Sequence, residues 1–194
     1  MDGRDRLRDR LQAVLDPRPV VSLPEGTASA AVLVPVLMAT AQPRLVFTKR
    51  THTLSRHAGE ISFPGGLADG DEELASTALR EAEEELGLAP SEVELAGALP
   101  AVHTRVSGIL IVPFVGLLWK DPRYRPNAVE IADILEFPLA DLVARGEEAE
   151  FEHDGRRFRT YVFAMDDHVI WGATARILWS FIELMRGVSW SEEP

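Results

Sequence analysis

Glu81, Glu84 and Glu85 recur at i, i+3 and i+4 in the run Leu79-Arg80-Glu81-Ala82-Glu83-Glu84-Glu85-Leu86. Helical residues turn by roughly 100° each, so on a helix these three carboxylates share one face. Like charges held this close repel, and something must offset the repulsion. A hard divalent cation does so naturally. Mg²⁺ takes oxygen ligands, uses only a few carboxylates, and fills its other positions with water and substrate phosphate. Gly65 and Gly66 precede the run and leave backbone carbonyls free to approach an ion. Arg80 lies beside the acidic face, where it can hold a carboxylate in place. A solvated acidic face is the simpler reading of a glutamate-rich helix, but the glycines and the arginine count against it.

A second group lies just upstream. Thr48 to Gly66 places Lys49, Arg50, His52, Arg56 and His57 ahead of the acidic run. The chain carries 31 acidic against 20 basic residues, a net charge of −11. That field repels polyphosphate backbones, which argues against nucleic acid as a partner. An acidic protein acting on an anionic small molecule needs bound cations, a local basic patch, or both. Arginine suits bidentate phosphate recognition. The plainer reading is that these cations neutralise the acidic helix and touch no substrate.

Gly66 to Leu88 resembles the Nudix box, G-x5-E-x7-R-E-U-x-E-E-x-G-U with U aliphatic. Gly66, Glu72, Arg80, Glu81, Ala82, Glu84, Glu85, Gly87 and Leu88 occupy its fixed positions. The resemblance implies a Nudix fold and metal-dependent hydrolysis of a nucleoside diphosphate linked to another group. By the same resemblance, Glu81, Glu84 and Glu85 with the Gly65 carbonyl would ligate Mg²⁺, or Mn²⁺ in its place. Arg80 would orient a glutamate, and Glu72 would brace the loop–helix junction, although a helix-start charge favoured by the dipole explains Glu72 as well. The proton of the attacking water would pass to a carboxylate not fully engaged by metal: Glu81, Glu84 or, from outside the box, Glu130.

Thr48 to Gly66 is similar to the signature of the coenzyme A pyrophosphatase subfamily, L-L-T-x-R-[SA]-x3-R-x3-G-x3-F-P-G-G. Val46, Phe47, Thr48, Arg50, Gly59, Phe63, Pro64, Gly65 and Gly66 fall into register. Thr51 replaces the expected Ser or Ala, and Ser55 stands where a second Arg is expected, with Arg56 one place later. Trp171-Gly172 and Thr174 to Leu178 look like that subfamily's closing helix. The resemblance implies coenzyme A as substrate, with 3′,5′-ADP and 4′-phosphopantetheine as products. Arg50, Arg56 or His57 would meet its phosphates. Alternatives are another Nudix substrate (ADP-ribose, NADH, a dinucleotide, a nucleoside triphosphate) and a non-catalytic binding protein, which the intact box disfavours. An isoprenyl diphosphate isomerase commonly needs a catalytic cysteine, and the chain has none.

These residues need a scaffold. Leu7, Leu11, Val14 and Leu15 predict an amphipathic helix over 4–15. Strands are expected at 30–38, 44–49, 60–63, 93–105, 109–118, 129–137 and 158–165, with Pro35 marking the first as an edge or bulge. Pro64-Gly65-Gly66 reads as a loop, 72–86 as the acidic helix ended by Gly87, 138–144 as a short helix and 172–186 as a closing one. Ala75, Leu79, Ala82 and Leu86 are expected to pack the acidic helix on the sheet. The segment 144–159 reads as a hairpin or a lid. Together these give a single α/β domain over 1–194, an α/β/α sandwich with a mixed sheet. The most apolar stretch, Ala28 to Ala41, is shorter than the ~20 residues a membrane span needs. Without cysteines or a leader-like start, the expectation is a cytoplasmic protein, with a homodimer as an assembly open to it.

Overall fold

The computed structural model describes residues 3–17, 28–51, 59–104, 108–153 and 156–185. Strands β1 (Ser29–Leu37), β2 (Arg44–Arg50), β3 (Ile61–Ser62), β4 (Gly65–Leu67), β5 (Glu94–Ala98), β6 (Val102–His103), β7 (Leu110–Leu118) and β8 (Ile131–Pro138) form one eight-stranded sheet. β1 and β7 run parallel at its centre, and the other pairings are antiparallel. The sheet is therefore mixed, as expected.

Period-two alternation divides β1 between two cores. Ala31, Leu33 and Leu37 face helix α2 (Leu74–Leu86), while Val34, Val36 and the following Met38 face the other layer. That second layer holds α1 (Gly3–Val14), α3 (Leu139–Arg145) and α4 (Gly172–Met185). Helices thus cover both faces of the sheet, giving the α/β/α sandwich. The segment 144–159 resolves as a hairpin: β9 (Gly146–His153) and β10 (Arg156–Met165) pair antiparallel, and β11 (His168–Ile170) completes a three-stranded sheet. No described helix is long and apolar enough to cross a membrane.

Three expectations change. Pro35 lies in a central strand, not at an edge or bulge, and its β1–β7 register with Gly116 is regular. Leu33 N–H bonds to Pro64 O on the β2/β4 side, so the missing N–H of Pro35, two residues on, faces the same way. It falls in the seam between the partners of Val32 (Gly65, in β4) and Val36 (Leu45, in β2), so no ladder bond is lost. Gly65 and Gly66 belong to β4 rather than to a loop. A Cβ on Gly65 would lie 2.4 Å from Ala31 O, so only glycine lets this short strand dock on β1. The expected strand over 93–105 is two, β5 and β6, broken at Leu99-Pro100-Ala101, where proline has no N–H to give.

Candidate active site

Helix α2 begins at Leu74, two residues later than expected, and ends at Gly87, whose φ of 70° is the left-handed cap glycine adopts without strain. Its buried residues are Thr77, Ala78, Ala82, Glu85 and Leu86. Ala75 and Leu79, expected in this face, are only partly buried at its margin. The helix is thus rolled so that Glu85 turns inward. Ala82 is fully buried, and its small side chain keeps the helix close to the sheet. The three carboxylates are consequently unequal: side-chain exposure is 58% for Glu84, 17% for Glu81 and 7% for Glu85.

Arg80 ties the acidic face together. Its Nε donates to Glu72 Oε1 at 3.1 Å and its Nη2 to Glu72 Oε2 at 3.2 Å, a forked pair. Nη1 donates to Glu81 Oε1 at 2.8 Å and lies 3.3 Å from both oxygens of Glu84. Nη2 also reaches Leu67 O in β4. Glu72 further accepts from Thr77 Oγ1 at 2.8 Å and from Asp69 N–H. The Arg80 and Thr77 hydrogen bonds hold the Glu72 carboxyl down at about 2. Glu72 therefore does brace the loop–helix junction, through a hydroxyl the sequence reading passed over.

At the inner end of the face, the Arg50 guanidinium lies between two carboxylates. Nη1 is 3.8 Å from Glu85 Oε1 and Nη2 is 3.9 Å from Glu130 Oε2. Burial pushes Glu85 up to about 7; Arg50 and the Gly65 backbone pull it back, while the charges of Glu81 and Glu130 push it further up. Burial raises Glu81 too, against the hydrogen bond from Arg80. Arg50, expected to meet substrate, stands beside two carboxylates of the acidic cluster.

Glu130 comes to the cluster by a stitched loop. It sits in a turn over 128–130, just before β8 rather than within it. Arg125 N–H bonds to Leu86 O at 2.7 Å and Asn127 N–H to Glu85 O at 3.0 Å, satisfying carbonyls that the end of α2 leaves open. A Cβ on Gly87 would fall 2.8 Å from Arg125 Cβ, so this glycine serves both the cap and the close approach of the loop. Thr51 N–H bonds to Glu130 O at 2.8 Å, and its hydroxyl bonds to Val129 O. Asn127 went unremarked in the sequence, and Thr51 stood out only as a departure from the upstream motif, because the role of both is contact between distant segments; the local signal is the Asn-x-x-Glu turn.

The residues present fit a divalent cation. Glu85 Oε2 is buried without a hydrogen-bond partner among the described residues. The bare face of Gly66 backs the Glu81 carboxylate so closely that a Cβ there would lie 2.5 Å from Oε1. Every side-chain donor in the cluster is a carboxylate oxygen, the ligand type hard cations take. Among the described residues no three carboxylates are already gathered at coordinating spacing, since Arg80 Nη1 stands between Glu81 and Glu84. Arg56 and His57, with His52, lie outside the described residues.

The chain is similar to known proteins in sequence and in fold. The NUDIX domain model matches residues 27–161. The uncharacterized Nudix hydrolase NudL of Pectobacterium atrosepticum is 40% identical over 152 residues, covering 77% of this chain and 78% of that one. Its namesake from Photorhabdus laumondii is 36% identical over 173 residues, covering 88% and 91%. Among solved structures, a MutT/nudix family protein from Enterococcus faecalis has a TM-score of 0.57 at 11% identity, covering 86% of this chain and 65% of that one. A C. elegans Ap4A hydrolase binary complex has a TM-score of 0.51 at 16% identity, covering 59% and 83%. At these identities the structural likeness is one of fold alone.

Proposed function

The chain belongs to the Nudix hydrolases, enzymes that split phosphorus anhydrides, and from that premise we propose that its substrate is coenzyme A or a derivative of it. The reading is carried by one juxtaposition. The upstream motif that resembles the coenzyme A pyrophosphatase signature ends in β4, and its Arg50 side chain stands against Glu85 and Glu130. Cationic motif and acidic helix thus meet at one place.

In this proposal water adds across the P–O–P bridge. Its oxygen bonds one phosphorus, and the bridging oxygen leaves on the other phosphate, giving 3′,5′-ADP and 4′-phosphopantetheine. Hydrolases of this family use divalent ions; bound Mg²⁺ (Mn²⁺ as the alternative) would supply charge neutralisation and a more acidic water. Glu81, Glu84 and Glu85, with the Gly65 carbonyl, would hold it. Arg80 engages Glu81 and Glu84, so Glu130, which lies outside that hydrogen-bond network, is our preferred proton acceptor. Arg50, with Arg56 and His57, would meet substrate phosphates.

Incubation of the pure protein with coenzyme A and Mg²⁺, followed by chromatography, should yield the two named products. Absence of turnover beside brisk hydrolysis of ADP-ribose or NADH would overturn the substrate and leave the reaction class standing.

A further inference from the structure

We propose that Asn127 is a positioning residue for hydrolysis, acting through Glu130. The inference rests on the reading of Glu130 as proton acceptor and is independent of which diphosphate is cleaved.

Asn127 uses every polar group it has to build this one turn or to anchor it. Its N–H is donated to Glu85 O at 3.0 Å, anchoring the turn to the carbonyl of a buried residue of the acidic face. Its backbone O accepts from Glu130 N–H at 3.0 Å and Ile131 N–H at 2.8 Å. Its side-chain Oδ1 accepts from Val129 N–H at 3.2 Å, closing an Asx turn. Its remaining donor, Nδ2, points at Glu130 Oε1 at 3.4 Å. The opposite carboxylate oxygen, Oε2, is the one that faces Arg50. The Glu130 carboxylate is therefore oriented from both sides, by an amide and by a guanidinium shared with Glu85.

Such geometry matters for proton transfer. An acceptor must lie within hydrogen-bond reach of the proton it takes, and a carboxylate on an exposed turn has rotamers that point elsewhere. The Val129 side chain beside it is 74% exposed, so no packing holds this turn from outside. The hydrogen bonds of Asn127 and Thr51 take that part. Aspartate at 127 would keep the Asx acceptor and replace the Nδ2 donor by an oxygen that repels Glu130. Serine would keep a hydroxyl acceptor and lose the donor without adding charge.

The test is a double-mutant cycle on whichever diphosphate the wild type hydrolyses, with Mg²⁺ saturating. Asn127→Asp should lower kcat about tenfold, with KM and melting temperature unchanged. Placed on Glu130→Gln it should lower kcat no further. The same tenfold loss in both backgrounds, or a wild-type kcat for Asn127→Asp, would overturn the inference. If Asn127→Asp does not fold, Asn127→Ser is read by the same criteria. A wild-type kcat for Glu130→Gln would remove the proton-acceptor reading and this inference together, whereas failure to cleave coenzyme A touches only the substrate.

Discussion

Arg50 Nη1 stands 3.8 Å from Glu85 Oε1, and each residue carries a buried polar atom, Arg50 Nε and Glu85 Oε2, with no hydrogen-bond partner among the described residues. The pair is long for an ion pair and incomplete as a hydrogen-bond network. Groups buried this way destabilise a fold unless something completes them. On the proposed function, a cation at Glu85 and a substrate phosphate at Arg50 would complete them.

The first prediction concerns stability. Burial raises Glu85 to about 7 from an ordinary value near 4.5. A carboxyl raised on folding contributes stability that is fully present below its unfolded value and is lost as pH rises through the folded one. Metal-free protein should therefore weaken between pH 4.5 and 7 on account of this residue. Glu85→Gln removes the penalty and should melt higher than wild type at pH 8 in EDTA, by about 2–4 °C for each ~1 kcal/mol regained. It should also lose its hydrolytic activity. A variant that melts lower at pH 8 would show that the burial cost has been misassigned.

Arg80→Lys separates position from charge. Lysine keeps the cation and loses the fork that holds both oxygens of Glu72 while a third nitrogen holds Glu81. Turnover should fall about 10–100-fold. The Glu72 carboxyl should move up from about 2, because its largest lowering influence is the Arg80 hydrogen bond. Carboxyl NMR titration of both proteins checks this, and an unmoved Glu72 would contradict it.

Two adjacent glycines should behave differently. At Gly65 an added Cβ meets the Ala31 carbonyl and the Val32 backbone, neither of which can yield, so Gly65→Ala should impair folding. At Gly66 the three atoms nearest the Cβ all belong to the Glu81 carboxylate, the far end of a flexible side chain. Gly66→Ala should fold near wild-type stability while losing most activity, because Glu81 is displaced. Thermal melts beside activity assays decide it. A Gly66→Ala enzyme with full activity would remove Glu81 from the site.

The sequence made this much legible because periodicity and fixed spacing report on one element at a time. The carboxylates of α2, the cap at Gly87 and the buried run of β1 are all local signals. What it hid was relational. Glu85 is buried, and Glu84 is not, because α2 rolls on small residues at 78 and 82, and helical spacing alone cannot fix that roll. Pro35 fits a central strand because its blank N–H meets a seam between two other strands. Asn127 and Thr51 gain their roles only once β8 pairs with β2 and brings the 125–130 loop under the end of α2.

Arg50 offers the sharpest separation of roles. It lowers Glu85 by charge, second only to burial in size and opposite in sign. Arg50→Gln should let Glu85 keep its proton to higher pH, so a divalent ion, which needs the carboxylate, has to compete with that proton. Apparent affinity for Mg²⁺ or Mn²⁺ near pH 7 should fall about tenfold. At pH 9 the order should reverse, because Glu85 is then ionised in both proteins and the variant lacks a neighbouring cation that repels the metal. Metal titrations at the two pH values, followed by activity or by Mn²⁺ relaxation, read this crossing. A variant whose metal affinity follows wild type at both values, with only KM for the diphosphate raised, would assign Arg50 to the substrate alone.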